Sequence, residues 1–288
     1  MLGSPGHGGP TVFRQSLPDL EIVPTRSLIL HEDVEPHRVG AITERFRHEH
    51  TLRNPPIVGR THDHRRLIVL DGASRVTAAR RLDFPHFLVQ VLPYPSPEIG
   101  LDPWHHMVVG LGWKQLVEQA AGIPGTQVEI LPWARASLLL EQRQALACIR
   151  SPGKPTAALR IALGRTGLRP LRELTKLYAT DPGLHRVRED LLVFPPEWLG
   201  EDRVLVIFPK FPQREIVRLA LRLEDRLPMG ITRHTVPNRA LRVHYPLSRL
   251  RSRQPLAEKR RHLRQFLEER WASGRIRHYP ESSTLYDE

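Results

Sequence analysis

The five residues Asp71-Gly72-Ala73-Ser74-Arg75 lie between the apolar run Leu67-Ile68-Val69-Leu70 and the segment Val76-Thr77-Ala78-Ala79-Arg80-Arg81-Leu82. A short apolar run, a glycine turn and a helix-forming segment in succession predict a strand, a tight turn and a helix start. The first backbone N–H groups of such a helix have no partner within it and carry the positive end of its dipole, which suits the turn to an anion such as phosphate. Arg75 adds a fork of charge-assisted donors. Asp71 would repel an anion, so its natural work is to hold a metal ion or to orient a hydroxyl. The same residues also describe an ordinary capped turn, with Asp71 or Ser74 satisfying helix N–H groups.

Around this turn, residues 21–93 read as a compact unit of alternating short strands and helices. Strands are expected at 21–24, 27–30, 55–58, 66–70 and 87–91, and helices at about 36–50 and 74–82. Pro93, Pro95 and Pro97 mark its end. Residues 94–200 read as mainly helical, with one helix from Trp113 and the apolar run 136–149 as a buried helix. Residues 201–288 form a smaller α/β segment: strands at 204–208 and 241–245, a helical stripe at Ile216, Leu219, Ala220 and Leu223, and a last helix over 255–272 stopped by Gly274. Its basic residues fall largely on the face away from Leu263 and Phe266. Residues 1–20, rich in Gly and Pro, read as a flexible tail. The fold class is therefore α+β.

With 40% apolar residues and no apolar run of membrane-spanning length, the sequence reads as a soluble globular protein. The tail lacks the basic start and apolar stretch of a secretory signal. A single cysteine, Cys148, excludes an intramolecular disulfide and any multi-cysteine metal site, in keeping with the cytoplasm. The net charge of +12 arises in the C-terminal half. It is mostly arginine scattered among Leu and Val, which reads as a solvated basic face rather than a nucleic-acid surface. Residues 156–180 can be written as a helix-turn-helix with Arg160, Arg165 and Arg169 on phosphates, or equally as two core helices. The sequence says nothing of oligomeric state.

His62-Asp63-His64, His48-Glu49-His50 and His105-His106 lack the helical i, i+4 spacing and downstream ligand of a metal motif, so surface histidine is expected. Ser151-Pro152-Gly153-Lys154-Pro155-Thr156 imitates the end of a phosphate-binding P-loop but lacks its first glycine and preceding strand.

Five segments far apart in the chain combine into a more specific pattern. They are His31-Glu32-Asp33-Val34-Glu35-Pro36, Asn54-Pro55-Pro56-Ile57-Val58, Val69 to Arg75, Trp104-His105-His106 and Pro228-Met229-Gly230-Ile231-Thr232-Arg233-His234. In this order they resemble the free serine kinases of the ParB/sulfiredoxin superfamily, including the siderophore-biosynthesis type, from about residue 20 to the end. The resemblance implies transfer of a phosphoryl group from ATP or ADP to the hydroxyl of free L-serine in the presence of Mg²⁺. It assigns catalysis to Glu32, as base, and Asp71, which would face the Mg²⁺ or its waters. Asp71, Gly72, Ala73, Ser74 and Arg75 would cradle the nucleotide phosphates. Thr232, Arg233 and His234 would bind the serine carboxylate under Trp104, while Glu35 and Asn54 would orient the substrate or the loop.

The cysteine that sulfiredoxins carry in this turn is missing, and the Asp-Gly start departs from the arginine-rich turn of ParB proteins. Family members commonly have histidine just before the turn's arginine, where this chain has Ser74, which donates a hydrogen bond but brings no positive charge. The alternatives are a ParB-like DNA-binding regulator and a catalytically silent nucleotide sensor.

Overall fold

A computed structural model describes residues 17–62, 66–162, 167–179, 183–188, 203–222 and 226–278. Within it the chain is α+β. The N-terminal part runs β1 (Leu20–Pro24), β2 (Leu28–Leu30), α1 (Pro36–His48), β3 (Thr51–Leu52), β4 (Ile57–Arg60), β5 (Leu67–Asp71), α2 (Ala73–Arg81) and β6 (His86–Pro93). Five of these strands form a sheet in the order β1-β6-β4-β5-β2.

The middle part runs β7 (Gly100–Pro103), β8 (His105–Val109), α3 (Trp113–Ala121), β9 (Thr126–Leu131), α4 (Trp133–Glu141), β10 (Ala147–Arg150), β11 (Thr156–Ile161), α5 (Arg169–Lys176) and β12 (Leu184–Val187). After it come β13 (Arg203–Ile207), α6 (Gln213–Leu221), β14 (Thr232–Thr235), β15 (Tyr245–Pro246), α7 (Leu247–Arg251) and α8 (Leu256–Ala272). A six-stranded sheet joins the two parts in the order β12-β8-β13-β10-β11-β9.

Alternation along each strand decides how the sheets pack. In β5, Leu67 and Val69 enter a core with Leu28, Leu30, Val58 and Phe87, whereas Ile68 and Leu70 enter a second core with Ile29, Ile57 and Tyr94. That second core continues onto the six-stranded sheet through Val108, Ile149, Leu159, Val204 and Val206. The two sheets therefore share one apolar layer. The far face of the six-stranded sheet, with Met107, Cys148, Leu205 and Ile207, is covered by Ala136, Leu139 and Leu140 of α4.

Several expectations are corrected. Residues 94–200 are not mainly helical, because β7 to β12 all lie there. The apolar run 136–149 is split: α4 stops at Glu141, Arg143 takes a left-handed φ of 60°, and Ala147–Arg150 is a strand. Thr156–Ile161 is a strand between β9 and β10 rather than the first helix of the expected pair, and Arg160 is paired with Glu129 at 2.6 Å, while Arg165 lies outside the described residues. A boundary at residue 200 would cut the pairing of β8 with β13.

The 21–93 unit does not own its core, because Tyr245, Leu247, Leu250 and Leu263 complete it. In 241–245 the expected strand shrinks to Tyr245–Pro246, with Arg242 and His244 at φ near 50°. Lys259 on α8 is buried rather than solvated and donates to the carbonyls of Leu250 (2.9 Å) and Ser252 (2.6 Å), tying α8 to the end of α7. His105 and His106 are buried, not on the surface. Leu20 belongs to β1, opposite Gln90, while residues 1–16 of the expected tail lie outside the described residues. None of the described helices is long and apolar enough to cross a membrane.

Candidate active site

The strand, turn and helix around Asp71 form as the residues dictate. Gly72 adopts φ 91°, and a Cβ there would lie 2.9 Å from both Pro56 Cβ and Arg75 Nη2. Glycine is thus required twice over, by backbone and by space. With glycine at the cap, α2 begins without a side-chain cap, and its first backbone bond runs from Val76 N–H to the Gly72 carbonyl at 3.0 Å.

The capped-turn alternative is not what Asp71 does. Its Oδ2 accepts from Arg75 Nη2 at 2.9 Å and from Arg239 Nη2 at 2.6 Å. Burial alone would raise the Asp71 pKa, but Arg75, Arg239 and Arg38 outweigh it and hold the carboxyl below the usual carboxylate range. Three guanidinium groups against one carboxylate leave the turn electropositive.

Across the same cleft stands Glu32. Backbone bonds from Leu227 N–H to the His31 carbonyl (2.9 Å) and from Asp33 N–H to the Leu227 carbonyl (2.8 Å) pin its segment to a distant part of the chain. The Glu32 carboxylate accepts from Gly230 N–H at 2.6 Å through Oε2 and from the Thr232 hydroxyl through Oε1. His31 Nε2 lies 3.1 Å from Glu32 Oε1 and 2.9 Å from Thr232 Oγ1. The Val69 carbonyl, 2.8 Å from His31 Nδ1, can only accept, so that nitrogen carries a proton and donates.

Gly230 is held in turn from behind. Its φ is 66°, a Cβ on it would overlap the Arg186 guanidinium, and its carbonyl accepts from His106 Nε2 at 3.0 Å. His106 Nδ1 accepts from the Tyr178 hydroxyl at 3.2 Å, so both ring nitrogens are used in the neutral form. Burial pushes the His106 pKa from 6.5 down to about 4, against the opposing pull of the Gly230 carbonyl. Between those values the unfolded chain binds the proton and the folded one does not. Stability present above pH 6.5 therefore declines as pH falls toward 4, by up to about 3 kcal/mol from this ring. Denaturant unfolding at pH 7 and pH 5 is expected to show a larger acid loss for the wild type than for His106→Gln; equal losses would refute the assignment.

Of the residues singled out in the sequence, Glu32, Glu35, Trp104, Thr232 and the turn from Asp71 to Arg75 all line this cleft. Asn54 works behind the turn: its carbonyl accepts from Arg75 Nη1 at 2.6 Å and its Oδ1 from Arg242 N–H at 2.9 Å. Arg233 and His234 fall outside the lining. The Arg233 guanidinium sits 5.3 Å from the centre of the Trp104 ring. His234 Nε2 is 3.0 Å from the Tyr94 hydroxyl, and burial pushes its pKa down to about 3, so it has no charge to offer a carboxylate. Sequence reasoning missed Arg38 and Arg186 in the lining and Arg239 on Asp71, and gave no role to Met229, which also lines the cleft. Arg38 lies one turn beyond Glu35 on α1 and Met229 lies within the 228–234 segment, whereas Arg186 and Arg239 come to the cleft only through the folding of the chain.

No protein-family model matches the chain. The ATP-dependent L-serine kinase SbnI of Staphylococcus aureus is 24% identical over 259 residues, which span 89% of this chain and 93% of that protein. The solved structure of SbnI with a C-terminal truncation has a TM-score of 0.69 at 21% identity, covering 88% of this chain and 97% of its own. A free serine kinase in complex with AMP gives a TM-score of 0.67 at 15% identity, covering 81% and 94% respectively. A conserved hypothetical protein from Pyrococcus furiosus gives 0.65 at 14% identity, covering 81% and 97%. The chain has the fold of these proteins along most of its length.

Proposed function

We propose that this protein is a free amino-acid kinase, transferring the terminal phosphoryl group of ATP or ADP to the hydroxyl of L-serine to give O-phospho-L-serine. One observation carries the reading: the Glu32 carboxylate, fixed by Gly230 N–H and the Thr232 hydroxyl, shares a cleft with the arginine-backed start of α2. The fold-wide likeness to SbnI and to a free serine kinase supports it. Membership of the ParB/sulfiredoxin superfamily and a cytoplasmic setting, in keeping with the one buried cysteine, belong to the same reading.

Phosphoryl transfer passes through a loose transition state, so a protein promotes it chiefly by alignment and charge neutralisation. The backbone N–H groups of Ala73, Ser74 and Arg75, with the guanidinium groups of Arg38 and Arg75, receive the phosphates. Ser74 adds a neutral hydroxyl donor where a histidine would add charge. Glu32 accepts the proton of the serine hydroxyl as the new O–P bond forms.

Mg²⁺, when bound, neutralises phosphate charge. Asp71 fits it as a single carboxylate whose Oδ2 already serves two arginines, and no group of three His, Cys, Asp or Glu suited to a metal occurs among the described residues. Such a site suits an ion held mainly by phosphates and water.

Incubation of the purified protein with Mg²⁺, L-serine and either ATP or ADP is expected to yield phosphoserine by mass spectrometry. Absence of product with both donors would overturn the assignment.

A further inference from the structure

We infer that Arg186 and Glu35 form a clamp for a zwitterionic amino acid, Arg186 taking its carboxylate and Glu35 its ammonium group. The inference rests on the serine-kinase reading and gives that reading its means of recognising the substrate. Arg186 lies on β12 directly opposite His106 of β8, and directly paired residues of antiparallel strands project from the same face. That face carries both side chains toward Gly230. Because residue 230 has no Cβ, the guanidinium comes in against the backbone that holds Glu32.

The guanidinium is incompletely used where it stands. Its Nη2 is 3.6 Å from Glu35 Oε2, well beyond a charge-assisted hydrogen bond of about 2.7–2.9 Å. Its Nε is buried and, among the described residues, has no hydrogen-bond partner. An unpaired buried donor is costly. Nε and Nη2 form one edge of the guanidinium fork; that edge packs against Gly230, and a carboxylate with two oxygens satisfies it in a single bidentate contact once the side chain turns from the glycine into the cleft. Glu35 is as free to act: it occupies the cap position of α1 yet makes no side-chain cap bond, and its side chain is 38% exposed.

Both residues line the cleft with Glu32 and Trp104. Serine carries a carboxylate, an ammonium group and a hydroxyl on adjacent carbons. Arg186, Glu35 and Glu32 offer one complementary side chain to each. Insertion of the zwitterion replaces one loose ion pair by two direct ones.

The test compares L-serine with L-serinamide, which lacks the carboxylate, and with glycerate, which lacks the ammonium group. Wild type is expected to prefer serine to both. Arg186→Met should raise KM for serine about 10- to 100-fold while leaving nucleotide binding in place, and should affect serinamide much less, so that discrimination between the two collapses. Glu35→Gln should collapse discrimination against glycerate instead, and Arg186→Lys, which keeps charge but not the fork, should fall between wild type and Arg186→Met. Nucleotide titration of each variant reports that it is folded. Retention of the wild-type serine-to-serinamide ratio in a nucleotide-binding Arg186→Met protein overturns the clamp alone. Failure of wild type to make phosphoserine overturns the kinase reading and the clamp with it.

Discussion

Replacement of Glu32 by glutamine is expected to leave a protein that folds and binds ADP as the wild type does, yet forms phosphoserine about 10²- to 10⁴-fold more slowly. The amide keeps the size of the carboxylate and an oxygen to accept from Gly230 N–H, the 2.6 Å contact that fixes the side chain. The Thr232 hydroxyl can turn to accept from the new amide instead of donating. What is lost is the capacity to take a proton. Calorimetric titration with ADP and single-turnover product analysis separate the two properties. A variant that turns over at a rate close to wild type would remove Glu32 from the role of base.

The second large effect is expected at Arg75. In Arg75→Met the bonds to Asp71 Oδ2 (2.9 Å) and to the Asn54 carbonyl (2.6 Å) both disappear, leaving Asp71 with Arg239. The side chain is 22% exposed, so the loss is that of a partly buried ionic contact, about 1–3 kcal/mol of folding stability. The larger consequence falls on the nucleotide. With one fewer cation beside it, the Asp71 carboxylate repels the phosphates that the helix start attracts, and ADP affinity should drop about 100-fold, as loss of about 3 kcal/mol of charge-assisted contact requires. Urea unfolding and ADP titration measure the two parts. A folded Arg75→Met protein with undiminished ADP affinity would show that the phosphates do not bind at this turn.

The local code was readable where one face or one residue decides the structure. In β5 the short apolar run Leu67-Ile68-Val69-Leu70, closed by the glycine at 72, specifies strand and turn within a residue or so of where they occur. The run 136–149 defeated the same reasoning because a buried strand and a buried helix look alike over short apolar stretches. The break came at Arg143, a residue type that does not announce a left-handed turn.

The cleft divides in the same way. The turn from Asp71 to Arg75 carries a local signal and Glu32 is marked only by the resemblance of the five segments, whereas Arg186 and Arg239 reach the cleft through sheet pairing and loop closure. His234 lies on β14, and no local signal says which neighbour covers it. Tyr94, which does so, is 140 residues away.

The bridge between Glu32 and Leu227, and the reach of Arg239 to Asp71, have a consequence for the life of the chain before it is finished. Synthesis proceeds from the N-terminus, and every strand of the five-stranded sheet is made within the first 93 residues. Yet the groups that hold Glu32, and one of the arginines on Asp71, come from residues 227–239. A nascent polypeptide with only these strands made holds Glu32 and Asp71 without their later partners. The site closes only once residues 227–239 have been made and folded back.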